Sequence, residues 1–445
     1  MLNIPKDVIM ILQKLNNENE EAFLVGGSVR DLLLGKIPFD YDITTSAKPE
    51  KIIEIFKDYK LITLSKKYGT ITLIVNNKSY EITTYRIDGD YINNRRPEKI
   101  VYTNNLYKDL SRRDFTINAL AYHPKVGIVD YFNGIEDLNK KLLKTVNNPD
   151  IRFQEDGLRI LRCLRFSSTL NFDIEKNTSK AIFKNKEILK NISFERINQE
   201  FSKLIFGENI ENILTNYIDI VGEFIPELLL LKDFNQNNAY HIYDVLEHTI
   251  KSVKYIESDL ELKMTMLLHD IGKPLTYSID SDFIGHFYKH NIVSANLAKD
   301  ILIRLKYSNK FIDNVKLLIE NHDVQILENK TAVRRRINKL GSVDLFFKLL
   351  KVKKADILAQ NPKYLEDRII HLNKLKIIAE EIVNKKECFN LNMLNINGND
   401  LINLGIPQGK LLGTILNDIL NEVISGNISN DRQELLKYTK SNYLK

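Results

Sequence analysis

Several features that mark other classes of protein are missing from this chain. Its 445 residues include two cysteines, Cys163 and Cys388. They stand far apart and fit no disulfide framework and no thiolate metal spacing. No apolar run is long enough to cross a bilayer, and the opening MLNIPKDV lacks the apolar core of a signal peptide, so the cytoplasm is the expected compartment. There is no internal repeat and no low-complexity linker. Charge of one sign is not strongly in excess either: the net charge is +6 and the pI about 8.8. That balance permits a polyanionic partner without requiring one. What remains, with 43% hydrophobic and 27% charged residues, is the composition of a globular protein with several cores. The length suggests about two to four domains.

Texture divides the chain. From about 20 to 135, short apolar runs alternate with turns. The stretch GTITLIVNNKSYEITTYR at 69–86 reads as a hairpin turning through Asn76, Asn77 and Lys78, and a helix over 49–58 opens at Pro49. After about 136, helical patterns follow one another at 153–170, 179–190, 194–206, 243–256, 262–269, 292–305 and 310–321. The Asn-rich stretch 233–238 is a candidate boundary. The expected fold is an α/β head, a mixed sheet with flanking helices, followed by an all-α body.

The chemistry concentrates in the head. LVGGSVRDLLLGKIPFDYDI places a Gly-Gly turn before two aspartates, Asp40 and Asp42, at i and i+2 of a strand, hence on one face. Two carboxylates beside free backbone amides suit a divalent metal and the phosphates it neutralises. Glu81, on the second strand of the hairpin, becomes a third carboxylate if that strand neighbours Asp42. KDLSRRDFTINALAY packs Asp109, Arg112, Arg113 and Asp114 before an expected apolar helix; paired arginines suit triphosphate oxygens, and Asp114 can cap a helix or orient an arginine. The polar segment 86–100 reads as a mobile loop.

In FQEDGLRILRCLRF, Asp156 and Arg159 stand at i and i+3 of an expected helix. One can accept from an exocyclic amine while the other donates to the adjacent ring acceptor, a pattern shared by cytosine and adenine. A plain surface ion pair is the alternative reading. Six of the eight histidines fall between His241 and His322, and His269 is followed by Asp270. Such a mixed N/O set suits a metal.

Together these motifs resemble the class II tRNA nucleotidyltransferases, the CCA-adding enzymes grouped with bacterial poly(A) polymerases. LVGGSVRDLLLG with DYDI resembles the metal and triphosphate motif, and RRDFTINALAY the ribose-discriminating one. VDYFNGIEDLNKKLL resembles the hinge, EDGLRILRCLRF the nucleotide-selecting motif and FERINQEF the end of the neck. The resemblance implies addition of CCA to tRNA from CTP and ATP, without a template and with release of pyrophosphate. Two Mg²⁺ would sit on Asp40 and Asp42, with Glu81 as a further catalytic carboxylate. Gly26, Gly27, Ser28, Arg30, Arg112, Arg113, Asp114, Asn118, Asp156, Arg159, Arg162 and Arg165 would form the nucleotide site.

The resemblance also gives the segment around Arg86 and Arg95-Arg96-Pro97 to the switch from C to A addition. KYGTITLIV at 67–75 looks more like the CCA-adding type than the poly(A) type, which is the alternative activity. From His248 the chain resembles an HD phosphohydrolase domain, with His248, His269, Asp270, His290 and Asp323 as ligands to a second divalent metal. Departures at Lys289 and Asn291 leave a metal-free HD fold as the competing reading. A phosphohydrolase with an RNA-binding head is a third. The stretch 397–430 resembles the tail that cradles tRNA. The implied domains are a head (1–136), a neck and body (137–232), an HD domain (233–340) and a helical tail (341–445).

Overall fold

The computed structural model describes residues 2–89, 91–92, 96–97 and 100–444. Contacts divide the chain into two compact units, Met1–Pro226 and Glu227–Lys445. The division falls just ahead of the Asn-rich stretch, and the expected head and neck share the first unit.

The head is a seven-stranded mixed sheet. Strands β1 (Ala22–Val25), β2 (Asp42–Thr45), β3 (Lys60–Ile62), β4 (Thr70–Val75) and β5 (Lys78–Thr84) are joined by strands Leu120–His123 and Gly127–Asp130. β1 lies between Leu120–His123 and β2, antiparallel to both. β2 runs parallel to β5, and β5 is antiparallel to β4. The β4–β5 hairpin turns on Asn76 and Asn77, both left-handed (φ 49° and 61°), the pair that a two-residue turn of matching twist requires. Helices α1 (Lys6–Asn17), α2 (Gly27–Leu33) and α3 (Pro49–Ile55) accompany the sheet. Val8, Ile11, Leu12 and Leu15 of α1 and Ile52 of α3 join Leu24, Ile43, Ile71 and Ile82 in its core.

Three sequence expectations are corrected. The apolar stretch after Asp114 is not a helix. It is a 3₁₀ turn, Thr116–Asn118, leading into a fully buried strand, whose continuous apolar run carries no alternation to read. The helix expected over 153–170 is two, Pro149–Glu155 and Leu158–Leu170, separated by an extended Asp156 (φ −138°, ψ 104°). A Cβ on Gly157 would lie 2.5 Å from Ile188 Cγ2, so the break is pressed against its neighbour at a residue with no side chain. Strands also persist beyond 136, as the short pairs Leu142–Leu143 with Asp173–Ile174 and Tyr277–Ile279 with Gly285–Phe287.

The second unit is otherwise helical. His248, His269, His290 and His322 lie on or beside helices Val245–Tyr255, Leu260–Leu268, His290–Arg304 and Asn309–Asn321, with Val343–Leu358 packed among them. A separate apolar cluster (Leu401, Ile415, Ile419, Leu420, Val423, Leu435) forms the core of the C-terminal helices. Among the described residues no helix is long and apolar enough to cross a membrane.

Candidate active site and histidine cluster

Asp42 is the first residue of β2 and pairs in register with Glu81 of β5. In parallel strands such partners present their side chains on the same face. Asp40 lies two residues earlier, in the exposed lead-in to the strand. Burial pushes the Asp42 carboxyl up to about 6; Asp40 and Glu81 push it the same way, and Arg113 pulls it down. A carboxylate whose charge burial and two acidic neighbours disfavour is suited to sharing a hard divalent cation with them.

The Gly-Gly turn faces the same region. Gly26 adopts φ +74°, and a Cβ there would stand 2.9 Å from Arg113 Nη1. A side chain is therefore excluded both by conformation and by the arginine. The Nε of Arg113 is buried without a hydrogen-bond partner, and its guanidinium reaches Asp109 only at 3.8 Å. Ser28 donates its hydroxyl to Val25 O (2.9 Å), so it braces the turn and leaves only its backbone to a ligand.

Beyond the turn, polar side chains form a chain. Arg30, stacked over Phe166, donates to Asn118 Oδ1 (2.7 Å), and Asn118 donates to Asp114 Oδ1 (3.1 Å). Asp114 Oδ2 accepts from Arg162 Nε and Nη2 (2.9 and 2.6 Å). Burial works to raise the Asp114 carboxyl, but Arg162 and Asn118 hold it down at about 2. Asp114 therefore orients an arginine, one of its two expected roles. Arg165 pairs with Glu200 (2.8 Å) and lies over Phe166.

Asp156 and Arg159 do not bind one another as the spacing suggested. Arg196 donates to both oxygens of Asp156 (3.2 and 3.0 Å), and Asp156 caps the following helix by accepting from Leu158 N (3.1 Å). Arg159 donates to Glu155 Oε2 (2.5 Å) and to the carbonyls of Arg152 (3.1 Å) and Arg112 (3.0 Å). Sequence reasoning missed Glu155, although its i,i+4 spacing to Arg159 was readable, and it missed Arg196 within FERINQEF. Arg95 lies outside the described residues. Of Arg96 and Pro97 only the backbone is described, paired with 92 and 91.

In the second unit four histidines converge with two aspartates. His248 Nε2 lies 3.2 Å from His269 Nε2, 3.4 Å from Asp270 Oδ2 and 3.0 Å from Asp356 Oδ1. His290 Nε2 lies 3.3 Å from His322 Nε2 and 3.4 Å from Asp270 Oδ1. Each Nδ1 faces a backbone carbonyl: Ala359, Met266, Phe287 and Ile319 for His248, His269, His290 and His322. A carbonyl only accepts, so each Nδ1 carries a proton and each Nε2 faces inward, toward the other histidines and the two aspartates. Lys273 Nζ stands 2.7 Å from Asp270 Oδ2, and His269 Nε2 stands 3.2 Å from the same oxygen.

Burial opposes a charge on His269, but Asp270 and Asp356 raise it to about 10. Burial and the neighbouring His269 and His290 lower His322 to about 3. Asp356, from Val343–Leu358, occupies the place for which Asp323 was expected. Asp323 instead lines adjoining cavities of about 310 and 350 Å³, with Asp356 and His322. No spacing in the sequence tied Asp356 to the histidines.

Three segments of the chain match known domain families. Residues 22–144 match the poly A polymerase head domain, and 171–219 match a probable RNA- and SrmB-binding site of polymerase A. Residues 287–439 match a putative second domain of tRNA nucleotidyltransferases. The CCA-adding enzyme of Lactobacillus helveticus is 35% identical over 431 residues, 96% of this chain and 95% of that protein. That of Ligilactobacillus salivarius is 32% identical over 442 residues, covering 98% and 97%. The crystal structure of the Bacillus stearothermophilus CCA-adding enzyme in complex with CTP superposes with a TM-score of 0.71 at 25% identity, over 98% of this chain and 96% of that one. Relatives that share the whole length, and a head whose acidic strand, glycine turn and arginines fall into one site, lead to one conclusion: this chain belongs to the family of CCA-adding enzymes.

Proposed function

We propose that this protein adds C, C and A to the 3′ end of tRNA from CTP and ATP, one nucleotide at a time and without a template. The observation that carries the reading is the register of Asp42 beside Glu81, with Arg113 between that pair and the Gly26 turn. The tRNA 3′-oxygen attacks the α-phosphorus, the bond to the β-phosphate breaks and pyrophosphate leaves. Asp40 and Asp42, with Glu81 alongside, would hold Mg²⁺, which when bound lowers the pKa of the attacking hydroxyl and supports the leaving pyrophosphate.

The chain's own residues do the rest. Arg113, backed by Arg112 and the Gly26-Gly27 turn, receives the triphosphate. Arg159, fixed by Glu155 and the carbonyls of Arg152 and Arg112, reads the base together with Asp156, which Arg196 holds in place. The neck and tail hold tRNA through its backbone, and such binding weakens with salt. Work on tRNA ends places the activity in the cytoplasm.

The test is incubation with Mg²⁺ and tRNA ending at the discriminator base, with CTP and ATP given singly and together and the 3′ ends sequenced. Two C's from CTP alone and CCA from both support the reading. A long A tail from ATP alone makes the protein a poly(A) polymerase.

The inward-facing Nε2 atoms support a second, separate reading: a divalent transition metal held by His248, His269, Asp270 and Asp356, with His290 and His322 beside it. Two nitrogens each about 2.0–2.1 Å from one tetrahedral ion stand roughly 3.3 Å apart, the spacing found within both histidine pairs. A site of this composition, opening on Lys273 and Lys289, suits a phosphate ester as substrate. Metal analysis of the desalted protein tests it; a content unchanged by Asp270→Asn refutes it.

A further inference from the structure

Asp109 has no part in the site as read from the sequence motifs, yet its carboxylate is fully buried and every contact it makes leads to that site. It lies on the short helix Leu106–Ser111. Oδ1 accepts from Arg112 Nε and Nη2 (3.0 and 2.8 Å) and from the backbone N–H of Arg86 (3.2 Å). Oδ2 accepts from the Thr44 hydroxyl (3.0 Å) and has Arg113 Nη2 at 3.8 Å. Thr44 is two residues beyond Asp42 on β2, so this oxygen is tied to the strand that carries the catalytic carboxylate. Arg86 follows β5, the strand of Glu81, and opens the segment expected to serve the C-to-A switch. Arg112 has a second tie, since its backbone carbonyl accepts from Arg159 Nη2 (3.0 Å).

One buried anion thus touches the metal-bearing strand and both triphosphate arginines, and through Arg112 it reaches the base-reading arginine. A carboxylate is expensive to bury, and here two guanidiniums, an amide and a hydroxyl offset the cost. Burial alone would raise its pKa; the arginine pair holds it below the ordinary carboxylate value. A salt bridge serving the core alone would need one partner on one element. This carboxylate has partners on β2, on its own helix and just beyond β5.

We propose that Asp109 is a positioning residue that sets the Arg112 and Arg113 guanidiniums for the nucleotide triphosphate and, through the Arg112 carbonyl, fixes the stance of Arg159, so that triphosphate binding and base selection are coupled through one side chain. The inference rests on the reading of the head as a CTP and ATP site. Arg112, held on its side chain by Asp109 and on its carbonyl by Arg159, is the link between the two functions. Without the anion, the Arg113 guanidinium, 3.8 Å from Asp109 Oδ2, loses its fixed stance toward the triphosphate. Arg112, released from its bidentate pairing, no longer holds its carbonyl in register with Arg159.

The test uses the full-length protein and the near-isosteric Asp109→Asn. Binding of CTP and of inorganic tripolyphosphate is measured by titration calorimetry in the absence of tRNA. KM and kcat are measured on tRNA for CTP, ATP and UTP. The expected result is a rise of about tenfold or more in the dissociation constants of both CTP and tripolyphosphate, and in KM for CTP and ATP, with kcat at saturation within about threefold of wild type. Discrimination against UTP should fall by about fivefold or more, because Arg159 loses its fixed stance.

Thr44→Val, which removes one hydroxyl from Oδ2 and keeps the ion pairs, should shift the same constants in the same direction by a smaller factor, and it serves if Asp109→Asn does not fold. Unchanged tripolyphosphate binding overturns the inference. So does a parallel fall of kcat for all nucleotides with no change in KM or in UTP discrimination, the signature of a residue that only supports the scaffold. Failure of the wild-type protein itself to bind CTP or tripolyphosphate would overturn the reading of the head instead.

Discussion

The protein gathers carboxylates in two places, and it treats them differently. In the head, Asp40 and Glu81 are exposed and Asp42 is half-buried, and Asp42 meets its acidic neighbours across strand pairing. In the second unit Asp270 and Asp356 lie among four histidines whose outer nitrogens are all tied to carbonyls. The head offers oxygen alone on an open surface, which suits a hard ion that keeps its waters and is shared with a substrate. The histidine cluster offers nitrogen and oxygen in a closed place, which suits a resident transition ion. A third set of carboxylates (Asp109, Asp114, Glu155, Asp156 and Glu200) shows the contrast with both: each is paired with arginine. Carboxylates in this chain are therefore sorted by partner. Among these three sets, those matched with arginine position side chains, and those gathered beside other acids or several histidines are suited to a cation.

The sharpest way to break the comparison is to disable one centre and read the other. Asp42→Ala should lower incorporation of both nucleotides by about a thousandfold or more while tRNA binding and the metal content of the second unit stay unchanged. Asp270→Asn should do the converse, losing metal and leaving CCA addition intact; coupled losses in either direction would show that the two centres are not independent. Next in size, Arg159→Ala should erode discrimination between CTP and UTP by about 10–100-fold before turnover fails, as read by single-nucleotide incorporation.

Stability separates an unmatched carboxylate from a matched one. The Asp114 carboxyl is held at about 2 in the folded protein, below its unfolded value. Its contribution is complete above about pH 4 and lost as pH falls through about 2, so Asp114→Asn should destabilise by roughly 2 kcal/mol at neutral pH. Asp42 has the opposite sign. Its folded value of about 6 lies above the unfolded one, so its charge destabilises the metal-free fold increasingly between about pH 4 and 6. Asp42→Asn should raise the melting temperature without metal, by an amount equivalent to about 1–2 kcal/mol at neutral pH. The smallest effect is on the pH profile. Nucleotide addition should fall by up to about tenfold per pH unit below about 6, as protons displace metal from Asp42, and recover when the divalent ion is raised.

The sequence reveals the centres unevenly, for physical reasons. Asp42 and the glycine turn are local, set by strand periodicity and backbone conformation within twenty residues; the strand starts at Asp42, so Asp40 precedes it and does not lie on it as expected. Glu81 depended on which strand its hairpin would join, which only the sheet order answers. The Asp156–Arg159 pair was read on a continuous helix; the extended backbone of Asp156 breaks it, and each side chain finds a different partner. Asp356 left no local trace, because a ligand's place on a buried helix face looks in sequence like any amphipathic position. Asp109 was visible as one charge in a run, and nothing in that run distinguishes a buried hub from a solvated aspartate.

The two-residue turn at Asn76–Asn77 has a consequence for how the protein comes to exist. It fixes the register of β5 on β4 early, since such hairpins close locally and fast. The β2–β5 pairing that brings Glu81 beside Asp42 joins residues some forty apart and must close a longer loop. During synthesis the hairpin is therefore a finished edge waiting for its neighbour, and the catalytic acids meet only when the parallel seam seals. An extra residue that slid β5 by one position would turn Glu81 to the opposite face and take Tyr80 and Ile82 out of the core. The ruler for the chemistry is a pair of asparagines at the far end of the strand.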